Sequence, residues 1–184
     1  MPYEFLDVVS QDDKVIAREL RSVVHARGLT HRGVHVFLFT PDGRLLVQQR
    51  GRHRDTAPLA LDCSVSEHVK SGEDFPQAAL RGLEEELGID KAALSKVAYF
   101  EFCYGPNDNK ISQLFEGVVH PDSVHFDPQE VERVIYHSLP ELLAIRDAKT
   151  AQFSLWFEQL LLWYCRRPCQ LHILEAHHGL FQPA

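Results

Sequence analysis

The chain has 184 residues, of which 45% are hydrophobic and 24% charged, and its formal net charge is −7. This composition predicts one globular domain with a sizeable core, and the acidic balance argues against broad nucleic-acid binding, which normally needs a basic surface. No apolar run approaches the roughly 18 residues of a membrane span, and the N-terminus lacks the pattern of a signal peptide. We therefore expect a cytoplasmic protein. Its four cysteines form no CxxC pair, so we expect reduced thiols.

The first part of the chain predicts two hairpins separated by a short helix. Two apolar segments, residues 5–9 and 15–19, flank a polar turn, and the helix that follows ends at Gly28. The second hairpin joins a β-rich run at 34–39 to a strand at 45–49 through a Pro-Asp-Gly turn.

A mostly irregular stretch, residues 51–72, comes next and opens with a cluster of basic residues. Arg50, Arg52, His53 and Arg54 lie within five positions. Guanidinium groups match phosphate oxygens in bidentate fashion, so this cluster is a candidate diphosphate clamp in an otherwise acidic protein. A solvated loop with scattered basic residues is the equally weighted alternative.

Residues 75–87 predict an amphipathic helix with clear start and stop signals. Asp74 and Gln77 form a capping-box pattern, Pro76 lies in the first turn, and Gly88 follows as a C-terminal cap. At about 100° per residue the apolar residues share one broad side.

The other side of this helix gathers Gly82, Glu85 and Glu86. Adjacent carboxylates repel each other, and a divalent cation such as Mg²⁺ between them relieves that repulsion. A solvated acidic surface is the simpler interpretation of three consecutive glutamates alone.

The remainder of the chain predicts strands and then helices. The strands are expected at 96–104, 111–119 and 134–137. One helix is expected to begin at residues 139–145, and a second helix to span about residues 150–165. We expect a single domain over residues 1–167 and a C-terminal tail over 168–184. The tail contains three histidines without a defined partner, expected at the surface with metal binding as the alternative: His172, His177 and His178.

The spacing around the acidic helix resembles the Nudix box, G-x5-E-x7-R-E-U-x-E-E-x-G-U, where U is a bulky aliphatic residue. Seven of its nine defined positions match, and they include Glu73, Arg81, Glu85 and Glu86. The two departures are Glu67, where the family has its first glycine, and Gly82, where it has a glutamate that in many hydrolases binds metal or acts as base. Glu84 does not replace that glutamate, because two positions along a helix point about 200° apart.

The resemblance implies an α/β fold, an α/β/α sandwich around a mixed sheet with the box as a loop-helix-loop. It extends over roughly residues 3–165 and is similar to MutT-like bacterial Nudix hydrolases of the branch related to isopentenyl-diphosphate isomerase. The supporting phrases include LLVQQR, Pro58 and DCSVSEHVKSGED.

The implied activity is hydrolysis of a diphosphate linkage in a nucleoside or other organic diphosphate, with Mg²⁺ or Mn²⁺ as cofactor. Glu85 and Glu86 are expected to hold the metal, with Glu73 supporting them and Arg81 orienting Glu85. Arg50 and Arg54 are expected to bind phosphates. The carboxylate missing at position 82 must come from a later segment, and three glutamates are candidates, of which the last is favoured: Glu101, Glu116 and Glu130.

Two alternatives remain. The departures at Glu67 and Gly82 favour a non-catalytic module that binds a nucleotide or a protein. The isomerase is less favoured, because its catalytic cysteine falls on Ser66. Its metal-binding histidines correspond to His31 and His68, but its acidic pair has no clear counterpart in the NDNKISQLF segment.

The substrate is not encoded in any motif of the loops outside the box. His53 and Tyr104 are candidates for stacking on a base, although a lone loop aromatic more often packs against the protein. The oligomeric state is open, and the aromatic residues of the C-terminal helix offer one surface for a homodimer.

Overall fold

The computed structural model describes residues 3–183; residues 1, 2 and 184, the outermost positions of the predicted domain and tail, lie outside it. The described part contains ten strands and four α-helices. The strands are β1 (Phe5–Val9), β2 (Val15–Leu20), β3 (His31–Phe39), β4 (Leu45–Arg50), β5 (Leu61–Asp62), β6 (Val65–His68), β7 (Ser95–Cys103), β8 (Asn109–Val118), β9 (Val131–His137) and β10 (His172–Ala176). The helices are α1 (Arg21–Arg27), α2 (Phe75–Leu87), α3 (Leu139–Asp147) and α4 (Leu155–Tyr164).

β3 is the central strand of a mixed sheet with the order β10-β7-β8-β3-β1-β2. It pairs in parallel with β8 along its whole length, from His31 opposite Lys110 to Phe39 opposite Val118. Its other edge is divided among three antiparallel partners, β1, β6 and β4. A strand buried on both faces reads as a continuous apolar run, as in the Val-His-Val-Phe-Leu-Phe segment of β3.

The period-two alternation of β3 divides the core into two layers. Phe37 and Phe39 face α3 and α4, and they pack in a cluster with Phe157 and Tyr164. Val36 and Leu38 face α2 and belong to a second cluster. The helices therefore cover both faces of the mixed sheet, which confirms the predicted α/β/α sandwich.

The predicted acidic helix is confirmed as α2, with both of its predicted caps. The Asp74 side chain accepts a hydrogen bond from the Gln77 backbone N–H at 2.8 Å, and the Gln77 side chain accepts one from the Asp74 N–H at 2.9 Å. Gly88 ends the helix in the left-handed conformation, with φ of +67°. Leu83 and Leu87 are fully buried, so the apolar face fixes the rotation of the acidic face.

The predicted second hairpin is wrong beyond its turn. β3 and β4 pair only at Phe39 opposite Leu45, after which β4 diverges to pair with β5 and β9. The reason is that β6 occupies the β3 edge from Gly33 to Val36, where β4 was expected. β6 itself lies in the stretch predicted to be mostly irregular.

Three further boundaries differ from the predictions. α4 begins at Leu155 rather than about residue 150, because Ser154 caps it and residue 153 bridges to β5. β9 begins at Val131 rather than at 134. The segment 168–184 contains β10, which pairs antiparallel with β7. Within the described residues, no helix is both long and apolar enough to cross a bilayer.

We predict that Gly88→Ala destabilises the fold more than Gly72→Ala. Both glycines have left-handed backbone, with φ of +67° and +85°. A Cβ at position 88 would lie 2.8 Å from the His125 carbonyl oxygen, whereas a Cβ at 72 would have nothing within 4 Å. Left-handed strain costs each variant about 1–2 kcal/mol. Chemical denaturation should show an additional loss of at least about 1 kcal/mol in Gly88→Ala, since a close contact with backbone adds to that strain. Equal losses would contradict this assignment.

Candidate active site

Arg81 organises the acidic face of α2. Its Nη1 donates to Glu67 Oε2 at 3.0 Å and to Glu85 Oε2 at 2.9 Å, and its Nε donates to Glu73 Oε1 at 2.8 Å. Its Nη2 donates to the carbonyl oxygen of His68 at 2.8 Å. Burial opposes the charge, but the hydrogen bond to Glu73 and the negative charge of Glu67 raise the pKa of Arg81 above its ordinary value. Arg81 is therefore a permanent cation that joins α2 to β6 and to the loop between them.

The Glu73 carboxylate binds the Arg81 guanidinium. Both of its carboxylate oxygens accept hydrogen bonds from Arg81, and Oε2 also accepts one from the Lys70 N–H at 2.9 Å. Burial acts to raise the pKa of Glu73, but these hydrogen bonds from Arg81 and Lys70 lower it below the ordinary value. This geometry fits a residue that holds Arg81 in place.

Glu85 and Glu86 differ in their surroundings. The Glu85 side chain is half exposed, whereas Glu86 is buried and accepts a hydrogen bond from Gln48 Nε2 at 2.6 Å. Burial raises the pKa of Glu86 well above its ordinary value, and the negative charge of Glu67 raises it further. Gln48 was not predicted from the sequence, although a glutamine within the apolar strand Leu45–Arg50 is the kind of signal that could have indicated it.

Both glutamates line a cleft of about 1320 Å³. Ligand pockets for small molecules span about 300–1,000 Å³, so this cleft has room for a nucleotide-sized ligand. Acidic and basic residues both line it. The acidic residues are Glu4, Asp55, Glu67, Glu85, Glu86, Asp108, Asp127 and Glu130, and the lysines and arginines are Arg21, Arg50, Arg54, Lys70 and Lys110. The cleft thus brings the box carboxylates and the predicted phosphate-binding arginines into one space.

Arg50 contributes to this cleft from a buried ion pair. Its Nη1 donates to Asp62 Oδ2 at 2.7 Å, and its Nε donates to the Thr56 carbonyl oxygen at 3.0 Å. Its guanidinium carbon lies 5.2 Å from the centre of the Trp156 ring, whose Nε1 also donates to Asp62. Asp62 is fully buried and was not identified from the sequence, where it appears as one acidic residue in an apolar run.

Arg54 and Glu130 form an ion pair on the cleft wall, and this contact joins the basic loop to the segment before β9. The Gly51 N–H reinforces the junction by donating to the Glu130 carbonyl oxygen at 2.9 Å. Arg52, by contrast, pairs with Glu132 on the exposed surface. Two of the three arginines in the basic cluster therefore line the cleft.

The other two candidate glutamates lie elsewhere in the fold. Glu116 is buried beside α4, where its carboxylate accepts a hydrogen bond from the Tyr164 hydroxyl at 2.6 Å. Glu101 is hydrogen-bonded to His172 across β7 and β10 at 2.9 Å. Among the described residues that line the cleft, only Glu130 comes from the three later candidates.

A second polar group lies on the same cleft and combines three imidazoles with one carboxylate. One ligand atom from each of His25, His31, His68 and Asp108 falls within 4.8 Å of the others. Burial lowers the pKa of His31 to about 4, so this ring is neutral and able to act as a ligand at neutral pH. Asp108 lies in the NDNKISQLF segment, where no clear counterpart of the isomerase's acidic pair was recognised from the sequence. Nitrogen and carboxylate donors in this combination suit transition metals such as Zn²⁺.

Ser66, at the position of the isomerase cysteine, belongs to a buried hydrogen-bond chain. Its Oγ lies 3.0 Å from His35 Nδ1, and His35 Nε2 lies 2.7 Å from the Tyr104 hydroxyl.

The two candidates for stacking on a base differ in their exposure. Tyr104 is buried and stacks on His35, so its ring packs against the protein, whereas His53 is exposed at the cleft. Burial raises the pKa of the nearby Cys63 thiol well above its ordinary value, and Cys63 is not among the described residues that line the cleft.

The chain is similar to several known proteins. The profile described as NUDIX domain matches residues 29–157. An uncharacterized Nudix hydrolase from Streptomyces coelicolor is 35% identical over 146 residues, 75% of each chain, and an isopentenyl-diphosphate delta-isomerase from Serratia proteamaculans is 28% identical over 157 residues, 84% of this chain and 87% of that protein. The crystal structure of DR0079 from Deinococcus radiodurans has a TM-score of 0.73 and 27% identity, covering 86% of this chain and 97% of that one. The chain belongs to the Nudix family.

We predict that His35 contributes to a loss of stability in mild acid. Burial, assisted by the charge of Lys110, lowers the pKa of His35 from 6.5 to about 3. Below pH 6.5 the unfolded chain therefore binds a proton that the folded chain does not, and the free energy of unfolding falls as pH drops. At 1.36 kcal/mol per pKa unit, the loss attributable to His35 is about 2 kcal/mol at pH 5. Denaturation of wild type and His35→Gln between pH 8 and pH 5 should give a shallower decline in the variant. Parallel declines would contradict this assignment.

Proposed function

We propose that this chain is a hydrolase that cleaves the diphosphate linkage of a nucleoside or other organic diphosphate with the help of a divalent cation. The observation that supports the proposal is the shared cleft, whose lining includes the box carboxylates Glu85 and Glu86 together with Arg50 and Arg54. A diphosphate ester needs both features, because its charge must be neutralised and its phosphates must be held in one orientation.

The donor set supports Mg²⁺ or Mn²⁺ as the cofactor. Glu85 and Glu86 present hard oxygen donors, which these ions prefer to nitrogen or sulfur. Glu86 is held by Gln48 in a buried position close to the Glu67 carboxylate. Two ionised carboxylates at this distance repel each other, and a bound cation relieves that repulsion. A divalent ion bound there supplies neutralisation of phosphate charge and a more acidic water molecule.

The protein side chains have distinct roles in this proposal. Arg81 orients Glu85 through the hydrogen bond at 2.9 Å, and Glu73 holds Arg81. Arg50 and Arg54 bind the phosphates away from the cleaved bond. Glu130 faces the same cleft and, as the favoured later carboxylate, is available to accept a proton from the attacking water, while its ion pair keeps Arg54 at the cleft wall.

We predict that Glu85→Gln lowers the metal-dependent rate of diphosphate hydrolysis about 100-fold or more, since it removes a charged metal ligand. Glu84→Gln is the matched control, because Glu84 makes the same charge change on the same helix from an exposed position outside the cleft. Release of phosphate with Mg²⁺ and with Mn²⁺ measures both. Equal rates for Glu85→Gln and wild type would remove the box from the mechanism.

A second prediction concerns the phosphate-binding arginines. Arg54→Gln should raise KM about tenfold, which corresponds to about 1.4 kcal/mol of lost binding, with a smaller change in kcat. Arg52→Gln is its control, because Arg52 carries the same charge two residues away but pairs with Glu132 outside the cleft. Steady-state kinetics on the best substrate would distinguish the two variants. An unchanged KM in Arg54→Gln would argue against its role in phosphate binding.

The substrate panel comprises nucleoside di- and triphosphates, ADP-ribose and isopentenyl diphosphate, each incubated with Mg²⁺ or Mn²⁺ and analysed by chromatography. Cleavage of any of these supports the hydrolase. If none of these compounds is cleaved and nucleotide binding is retained, the non-catalytic binding module suggested by the glycine at position 82 is favoured.

The isomerase remains the third candidate because one observation favours it, the group formed by His25, His31, His68 and Asp108. Against it stands Ser66, whose hydroxyl replaces the thiol and is a poor carrier of protons at an alkene. Conversion of isopentenyl diphosphate to its isomer without phosphate release would establish this activity.

A further inference from the structure

The two departures from the Nudix box, Glu67 and Gly82, lie against each other in the fold. Glu67 is on β6, opposite Val34 of β3, and Gly82 is on the side of α2 that packs against β6. A Cβ built on Gly82 would lie 2.9 Å from Glu67 Cγ and 2.6 Å from Val65 Cγ1. The stem of Glu67 and the Val65 side chain therefore occupy the space into which a side chain at position 82 would extend.

The Glu67 carboxylate lies among the box carboxylates. Its Oε2 and the Oε2 of Glu85 accept hydrogen bonds from the same nitrogen, Arg81 Nη1, at 3.0 and 2.9 Å. On its other side it is close enough to Glu86 for its charge to raise the pKa of that residue. All three glutamates line the cleft, and Glu67 comes from a different element from the other two.

We propose that Glu67 supplies the carboxylate that the family pattern places at position 82, so that Glu67, Glu85 and Glu86 together form the cation-binding set. In the family pattern a glycine faces the box glutamate; here the glutamate is on β6 and the glycine is on α2. The exchange preserves one carboxylate and one small residue at the contact between these elements. This inference rests on the proposed function and adds a residue to its metal site.

The charges around Glu67 support this assignment over Glu130. Arg81 bonds to Glu67, Glu73 and Glu85, and Lys70 Nζ lies 3.5 Å from Glu85. Two cations therefore face these three carboxylates and the neighbouring Glu86, which leaves an excess of negative charge. A divalent cation balances such an excess. Glu130, in contrast, has its own partner in Arg54.

The test is the affinity for Mn²⁺ alone, measured on the full chain by calorimetry or by the Mn²⁺ magnetic resonance signal. Glu67→Gln should weaken binding by at least about tenfold, as loss of a residue that supports a metal site commonly does. Glu84→Gln, with the same charge change on the exposed side of α2, should bind as wild type does, and Glu130→Gln should also retain its affinity. The family order is restored by Glu67→Gly with Gly82→Glu, made together with Val65→Ala to remove the 2.6 Å contact at position 82, and this combined variant should recover most of the wild-type affinity.

The outcomes separate this inference from the proposed function. If Glu67→Gln binds Mn²⁺ as tightly as wild type while Glu85→Gln loses it, the inference is overturned and the metal site stands. If Glu130→Gln loses affinity and Glu67→Gln does not, Glu130 is the replacement. If wild type and Glu85→Gln show the same affinity, or neither binds, both proposals fall. Should Glu67→Gln not fold, Glu67→Asp is measured instead: its shorter stem withdraws the carboxylate from the site and should weaken Mn²⁺ binding, and wild-type affinity in that variant would overturn the inference.

Discussion

The Arg81 guanidinium is the interaction on which the acidic site depends. It is largely shielded from solvent and bonds to carboxylates that come from β6, from the loop before α2 and from α2 itself. Without a cation at this point, the carboxylates would repel one another and the loop would lose its attachment to the helix. Removal of one partner from such a shielded cluster usually costs more than the pair contributes, because the remaining charges stay uncompensated. The position of Glu85 therefore depends on the same Arg81 ion pairs that attach α2 to β6 and to the loop before it.

Elsewhere at the cleft, the buried Asp62 carboxylate likewise joins several elements of the fold. It is fully buried and accepts hydrogen bonds from Arg50, Trp156 and Ser154. These donors belong to β4, to α4 and to its cap, so Asp62 ties the C-terminal helix to the floor of the cleft. An arginine held in this way loses little side-chain entropy when a ligand binds.

Local sequence signals predicted most of the elements of the fold but not their pairing. α2 was located to the residue because its caps and its apolar period lie within one short segment. The partner of β4 was not predictable, because the strand that displaces it from β3 is a four-residue segment, Val65–His68, with only one buried position. Strand pairing at such separations depends on competition among edges, which no local pattern records.

The candidate site shows the same division between local and distant information. Glu73, Arg81 and Glu85 were identified together because they lie on consecutive turns and the loop before them. Gln48 and Asp108 were missed because each is a single polar residue whose partners are distant in sequence. Glu67 was recognised only as a departure from the pattern, since its relation to Gly82 exists only after β6 and α2 have packed together.

The last strand, β10, bears on how the chain can be shortened. It covers the outer edge of β7 from Ala98 to Glu101, and beyond it Phe181 packs on Phe39 with ring centres 4.6 Å apart. A truncation at residue 167 would expose the backbone N–H and C=O groups of that edge and an apolar surface beside it. Uncovered strand edges recruit strands from other molecules. Loss of residues 168–184 would thus move the edge of the sheet from the largely exposed β10 to the more buried β7, and fusion partners at this terminus must leave β10 free to pair.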